Sequence, residues 1–370
     1  MNKVIGIIIA IIVVVGIGIG VVAVNNNNNK PVASVKPKPA VTITGAGSTF
    51  AAPLYGQLGS EYKKSDNVTV NYQSVGSGAG VTDFISNTVN FGATDVALKD
   101  ADIASAQAHG APLNIPVAFG AITVSYNVPG VKAGLKLDGT TVANIYLGKI
   151  TKWNDAAITA LNPGISLPDM AIAPVYRSDS SGTTAQFTTF LKDESSDWAT
   201  QVGSDKTVKW PVGTGAKGND GVAATVQQTS GGIGYVELAY ALQNHFTYAS
   251  VKNKSGDYVA PSLESTSKAG QNLTNLPDDL RFTSVDSASQ GAYPIASPTF
   301  IAVYQDVCKA GAVKNATEAS ALQGWLNYIL GTGQTTMQKL YYAPLPSDLL
   351  QKAKAKVTGM TCNDAAIAAR

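Results

Sequence analysis

Little in this sequence could carry acid–base or metal chemistry. Its 370 residues include two histidines, His109 and His245, and two cysteines, Cys308 and Cys362. A nucleophilic serine needs a base beside it, and neither histidine lies in any of the loops described below. Metal-assisted hydrolysis needs His, Asp or Glu grouped at ligand spacing, and the sequence has no such grouping. Both histidines are therefore read as surface or loop residues. Charge is scarce too: Asp, Glu, Lys and Arg make up 14% of the chain, against ~25% in an average globular protein. The formal net charge is +2, and no run of Lys or Arg forms the basic stripe that nucleic-acid binding requires. No nucleic acid is expected as a partner, and any anion recognised is small and met locally. What is present is globular in kind. The chain is 45% hydrophobic, with 36 Gly and 17 Pro marking many turns, which excludes a chain dominated by disorder or by a coiled coil.

The N-terminus carries the one long apolar run. Residues Val4 to Val24 hold no charge and are nearly all Ile, Val, Gly and Ala, enough helix at 1.5 Å per residue to match the ~30 Å hydrocarbon layer. Residues 1–24 are expected to be a retained membrane anchor. A cleaved secretory signal is the alternative, although Val22-Ala23-Val24 makes a poor cleavage site. No cysteine follows the apolar run, which argues against lipid attachment, and Lys3 places the bulk of the chain outside the cell membrane. Residues 25–40, with Asn25 to Asn29 and then Lys-Pro repeats, cannot bury a core and form an extended linker. Folding starts near Val41. The two cysteines both fall in the last quarter, which suits one disulfide in an oxidising compartment pinning the C-terminal tail, with two buried thiols as the alternative. Asn67, Asn253, Asn272 and Asn315 each begin a glycosylation acceptor triplet.

From Val41 onward, short β-branched runs alternate with amphipathic helical stretches. That pattern implies an α/β fold with a mostly parallel sheet covered by helices. Phe50, Leu54, Leu58 and Tyr62 recur every fourth residue and predict a helix from about Phe50. A strand at 68–72, a helix after Ser77 with Val81, Phe84 and Ile85 inward, and a strand at 91–94 follow. Later come a strand at 171–176, a helix after Ser181 burying Thr183, Phe187, Phe190 and Leu191, and a helix marked by Leu322, Trp325, Leu326 and Ile329.

Three places share one design, in which a strand leads through a Gly-, Ser- and Thr-rich loop into a helix. They are Thr44-Gly-Ala-Gly-Ser-Thr-Phe50, Ser74-Val-Gly-Ser-Gly-Ala-Gly80 and Arg177-Ser-Asp-Ser-Ser-Gly-Thr183. The first amides of a helix lack intrahelical partners and sit at the positive end of its dipole, so each such start can hold an anionic oxygen. Any one of them could equally be an ordinary N-cap, worth about 1 kcal/mol. Arg177 distinguishes the third, since its fork can grip an oxyanion bidentately while Asp179 orients it.

These loops, together with Phe91-Gly-Ala-Thr-Asp95, Ile145 through Asp155, Val208 through Gly213, Gly218-Asn-Asp-Gly221 and Gly232 through Glu237, resemble the phosphate-binding component of the phosphate ABC transporter, the PstS family. The likeness runs from about Thr42 to near Leu345. It implies a two-lobed periplasmic-binding-protein fold with the ligand cleft between lobes, here preceded by the membrane helix. Lobe 1 would comprise residues 41–121 plus 298–370 and lobe 2 residues 122–297, with crossings near 119–126 and 294–300 flexing as a hinge. Carried over motif by motif, the implied phosphate contacts are Ser48, Thr49 and Phe50, largely through backbone N–H, with Ser77, Asp95, Arg177, Ser181, Gly182 and Thr183. Asp179 would stand behind Arg177. The resemblance implies a monomeric binding protein without cofactor or metal, outside the cell membrane, whose partners are inorganic phosphate and a transporter permease.

Asp95 carries the most specific chemistry. A carboxylate facing an anion repels it, yet phosphate near neutral pH keeps a proton to donate, whereas sulfate has none and would leave two acceptors facing. Two other classes remain for test: a phosphoester hydrolase using a loop serine, and an adhesive surface protein with no tight small ligand.

Overall fold

The computed structural model describes residues 38–370 other than 272, 274 and 275. The apolar run 4–24, the linker as far as residue 37 and the acceptor triplet at Asn272 lie outside the described residues. Among the described residues no helix is long and apolar enough to cross a membrane.

The fold is organised by its longest strand, Pro112–Asn127, buried without a break from Asn114 to Tyr126. Such a run needs cover on both faces and so belongs at the centre of a sheet. Its first part pairs antiparallel with Ala296–Tyr304, from Pro112 opposite Tyr304 to Ala121 opposite Ala296. Its second part pairs antiparallel with Gly232–Glu237, from Ile122 opposite Glu237 to Asn127 opposite Gly232. The change of partner falls between Ala121 and Ile122, where the Ile122 N–H donates to the Ile295 carbonyl at 2.9 Å. The two expected crossings therefore lie side by side.

Outward from Ala296–Tyr304 the sheet continues through Phe91–Thr94, Val41–Gly47 and Val68–Ser74; outward from Gly232–Glu237 it continues through Ala173–Arg177 and Thr214–Ala216. The expectation of a mostly parallel sheet needs correction. The outer strands are parallel, because helices return the chain between them, but the centre is antiparallel. The chain leaves one half of the sheet along Pro112–Asn127 and comes back along Ala296–Tyr304, so those strands must run in opposite directions. Helix-strand alternation gives no sign of such a return.

The first helix spans Ala52–Asp66 with Pro53 in its first turn, two residues later than expected, and Leu54, Leu58 and Tyr62 are buried beneath it together with Phe50. Helices Ser77–Ile85, Gly182–Glu194 and Ala316–Ile329 form where the spacing of apolar residues places them. Leu322, Trp325, Leu326 and Ile329 are fully buried, each contributing about 1.5–3 kcal/mol by burial. Cys308 and Cys362 are joined in a disulfide across 54 residues, which in a chain-entropy account stabilises the tail by ~4 kcal/mol. His109 and His245 are exposed. Asn253 is buried, its carboxamide donating to Ala292 and accepting from Asp257 N–H, so the folded chain offers no room for a glycan there.

Candidate functional site

Four helix starts meet where the two halves of the sheet face one another. The turn Ser48–Ala51 leads into helix Ala52–Asp66, and Gly76 leads into helix Ser77–Ile85. From the other half, Ser181 caps helix Gly182–Glu194 through the Thr184 N–H (3.1 Å) and Lys217 leads into helix Gly218–Gln228. Among the described residues, the amides of Thr49, Phe50, Ser77, Gly182 and Thr183 meet no acceptor. Unpartnered N–H groups at the positive ends of three of these helices make a concentrated anion-attracting field; at the fourth, the Gly218 amide donates to Asp179 and the Asn219 amide to Thr49 Oγ1.

Two titratable groups stand within this ring. Arg177, at the end of strand Ala173–Arg177, is 3% exposed. Its Nε donates to Asp179 Oδ1 at 2.7 Å, its Nη2 to Asp179 Oδ2, and its Nη1 to Thr183 Oγ1 at 3.3 Å. The backbone amide of Arg177 donates to the Tyr235 hydroxyl at 3.1 Å. Asp179 thus fixes the guanidinium plane from behind while Nη1 points along the start of helix Gly182–Glu194. Burial alone would raise the Asp179 carboxyl, but the Arg177 hydrogen bonds and charge and the Gly218 amide more than offset it and hold the group below its ordinary value. The ion pair is neutral as a unit, so the helix starts share with the guanidinium donors the attraction for an anion.

Asp95 follows strand Phe91–Thr94 and is 1% exposed. Its Oδ1 accepts from Ser48 Oγ (2.6 Å) and Thr299 Oγ1 (2.9 Å), and its Oδ2 from Ser77 Oγ (3.3 Å). Burial pushes this carboxyl up to about 6, with the hydroxyl donors and the charge of Arg177 opposing the rise. A carboxylate whose acceptor capacity is largely met by hydroxyls, and which titrates within two units of neutrality, suits the exchange of a proton with a bound oxyanion.

The halves are closed on each other. Gly78 N–H donates to the Ser180 carbonyl at 2.9 Å, and Asn219 Nδ2 donates to Thr49 Oγ1 at 2.8 Å. A Cβ at Gly182 would lie 2.5 Å from Ser77 Oγ and 2.6 Å from Asp95 Oδ2. Gly76, at φ +96°, would place a Cβ 2.5 Å from Asp179 Oδ2. Glycine is required at 182 by this approach and at 76 by both approach and backbone angle.

A family profile described as a PBP superfamily domain matches residues 33–332. The phosphate-binding protein PstS of Xylella fastidiosa is 38% identical over 317 residues, spanning 85% of this chain and 84% of that protein. The protein of the same name from Pasteurella multocida is 40% identical over 317 residues, spanning 85% and 89%. The chain belongs to the PstS family. Its fold is also that of the crystal structure of a phosphate-binding protein from Stenotrophomonas maltophilia, with a TM-score of 0.64 at 22% identity over 85% of this chain and 94% of that one.

The residues that the PstS resemblance implied, Ser48, Thr49, Phe50, Ser77, Asp95, Arg177, Ser181, Gly182 and Thr183, fall in one contiguous cluster with Asp179 behind it. One detail differs. The Ser48 amide is engaged by the Ala93 carbonyl at 2.9 Å, so Ser48 can serve the site only through its hydroxyl, which already donates to Asp95 and accepts from Ala51 N–H. The backbone donors of that turn are Thr49 and Phe50.

Sequence reasoning missed three polar residues of this cluster. Asn219 bridges the halves, since its Nδ2 also reaches Thr183 Oγ1 at 3.3 Å and its amide donates to Thr49 Oγ1 at 3.2 Å. The signal was present: Gly218-Asn219-Asp220-Gly221 repeats the strand, glycine and helix-start design. Thr299 on Asp95 and Gln186, whose Nε2 donates to the Asp95 carbonyl at 2.6 Å, have no local sequence signal.

Proposed function

We propose that this chain is an extracytoplasmic solute-binding protein that captures inorganic phosphate between its two lobes and delivers it to an ABC transporter for uptake. The observation that carries this reading is the set of unpartnered amides at helix starts converging on Arg177 and Asp95. Amides and guanidinium supply donors for the oxygens of a tetrahedral oxyanion, and Asp95 accepts the proton that phosphate retains. The bound ligand would touch Thr49, Phe50, Ser77, Asp95, Arg177, Gly182 and Thr183, with the hydroxyls of Ser48 and Ser181 beside them.

Residues 41–121 plus 298–370 form lobe 1 and residues 122–297 lobe 2, and the side-by-side strands at Ala121 and Ile122 and at Ile295 and Ala296 act as the hinge. Phosphate contacts both lobes and so favours closure by the contacts that only the closed form makes. Residues 1–24 tether the chain to the membrane on its outer face through the linker 25–40; this part of the proposal rests on the uncharged run Val4–Val24. The chain acts as a monomer, and its transport partner is a phosphate permease.

The protein is not an enzyme. That follows from its membership of the PstS family, whose matched relatives are phosphate-binding proteins; the Ser181 oxygen accepts the Thr184 amide as a helix cap, and no observation favours a hydrolase. None favours an adhesive role.

Thermal unfolding provides the direct test. After endogenous phosphate is removed by dialysis against denaturant and the chain is refolded, added phosphate is expected to raise Tm, with a stabilisation of about 4 kcal/mol at a thousandfold excess over Kd. An unchanged Tm would reject the reading.

A narrower prediction concerns closure. Gly182→Ala introduces a Cβ into a space bounded by Ser77 and Asp95, and overpacking of this kind costs about 1–3 kcal/mol. Phosphate affinity by titration calorimetry is expected to fall by about one to two orders of magnitude, while the Tm of phosphate-free protein is unchanged because the crowding arises only on closing. An equal loss of phosphate-free stability would place the defect in lobe 2 itself.

A further inference from the structure

The turn Ser48–Ala51 presents its amides to the site, but nothing in the regular helix that follows can hold its peptide planes. Residue 53 is proline and has no N–H to return to the Thr49 carbonyl four residues back. Among the described residues the only backbone donor to that carbonyl is Ala52 N–H at 3.4 Å, and Ala51 departs from helical geometry at φ −90°, ψ 1°. Three successive carbonyls at the turn are instead met by three tyrosine hydroxyls from distant parts of the chain. Tyr72 donates to Ser48 O at 2.7 Å, Tyr240 to Thr49 O at 2.7 Å, and Tyr342 to Phe50 O at 2.6 Å, its oxygen also lying 3.1 Å from Glu237 Oε2.

Each carbonyl shares a peptide plane with the next amide. Ser48 C=O belongs with Thr49 N–H, and Thr49 C=O with Phe50 N–H, the two unpartnered donors of the turn. Phe50 C=O belongs with Ala51 N–H, which donates to Ser48 Oγ at 3.2 Å, and Ser48 Oγ in turn donates to Asp95 at 2.6 Å. A hydrogen bond to a carbonyl fixes its peptide plane and polarises the N–H at the other end, strengthening that donor. Burial raises all three hydroxyls above their ordinary value, most clearly for Tyr72 and Tyr342, so they remain proton donors throughout the physiological range.

We infer that Tyr72, Tyr240 and Tyr342 are positioning residues for the bound oxyanion: their hydroxyls aim and strengthen the Thr49 and Phe50 amides and the Ser48 to Asp95 link, without touching the ligand. The inference rests on the phosphate reading. The three are not equivalent. Tyr72 ends in the same lobe as the turn, and Tyr342 follows it there from the C-terminal segment. Tyr240 belongs to helix Leu238–Gln243, immediately after strand Gly232–Glu237 in the opposite lobe, so its bond to Thr49 O joins the two lobes.

The test uses the full chain and inorganic phosphate, comparing wild type with Tyr240→Phe and Tyr72→Phe. Tyr240→Phe is expected to speed phosphate release in stopped flow by about three- to tenfold, the loss of one ordinary hydrogen bond, with the association rate unchanged. With 15N-labelled Phe and Thr, the Phe50 amide proton of the phosphate complex is expected to move upfield in Tyr240→Phe while Thr49 stays, and Tyr72→Phe should show the reverse. A merely structural role would not produce that crossed pattern. If wild type fails to respond to phosphate, the functional reading falls and this inference with it. If wild type binds while both variants keep wild-type release rates and unmoved amides, only the inference is overturned. Should Tyr240→Phe fold poorly, the Thr49 shift in Tyr72→Phe decides alone, and an unmoved Thr49 amide rejects the inference.

Discussion

Arg177→Met is expected to raise the dissociation constant for phosphate by about three orders of magnitude. The arginine brings a formal positive charge into the ring of helix starts, and each hydrogen bond to a charged group is worth roughly 1.5–3 kcal/mol, so two to the ligand account for a loss of that size. The same change strips Asp179 of its partner. Its carboxylate side chain is 12% exposed, and removing one member of such a pair destabilises by as much as about 3–5 kcal/mol. The two effects separate in the double variant Arg177→Met with Asp179→Asn, which should recover much of the lost Tm and none of the lost affinity. Arg177→Lys keeps the charge but loses the fork that holds Asp179, and calorimetry should place it between wild type and methionine. Near-normal phosphate binding by Arg177→Met would remove Arg177 from the site.

Asp95→Asn should change selectivity more than affinity. Near neutral pH the wild-type carboxylate can only accept, so phosphate with its proton is matched and sulfate is opposed. A carboxamide can donate, which replaces the opposition with a hydrogen bond. Sulfate binding is expected to strengthen by about 10–100-fold, the few kcal/mol that separate a facing acceptor pair from a bonded one, and phosphate binding to weaken by less than about tenfold. The pH dependence follows from the same group. Asp95 sits at about 6, above the ordinary carboxyl, so its protonated form is the one the fold favours. In the closed form without phosphate this contribution to stability is complete below about pH 4 and is lost as pH rises through about 6. Protonated Asp95 can itself donate to sulfate. Competition by sulfate should therefore grow as pH falls from 7.5 to 5 in wild type and stay flat in Asp95→Asn. Competition calorimetry giving the same phosphate-over-sulfate ratio in wild type and variant, or a flat wild-type profile, would remove the proton-sensing role.

What was legible in advance was whatever is encoded over a few residues. Glycine and hydroxyl loops between a strand and a helix announce an anion site because the unpartnered amides are a property of the helix start itself. Leu54, Leu58 and Tyr62, or Phe187, Phe190 and Leu191, declare their buried faces by spacing alone. Arg177 and Asp179 are two residues apart, so their pairing could be proposed from the sequence, as could the disulfide, since only two cysteines exist to pair.

The sequence by itself thus determined the α/β class, three of the four helix starts to within about two residues, the Arg177 and Asp179 pair and an oxyanion as the ligand class. Only the tertiary structure decided which amides remain available, because the Ser48 amide is taken by Ala93, 45 positions away along the chain, through strand pairing that no local pattern announces. It also decided that the central strands run antiparallel, and that Thr299, Asn219, Tyr240 and Tyr342 converge on residues 48–95. Those contacts join segments far apart in the chain. Their partners are chosen by sheet order and lobe closure, which depend on the packing of the whole core rather than on any neighbouring residue.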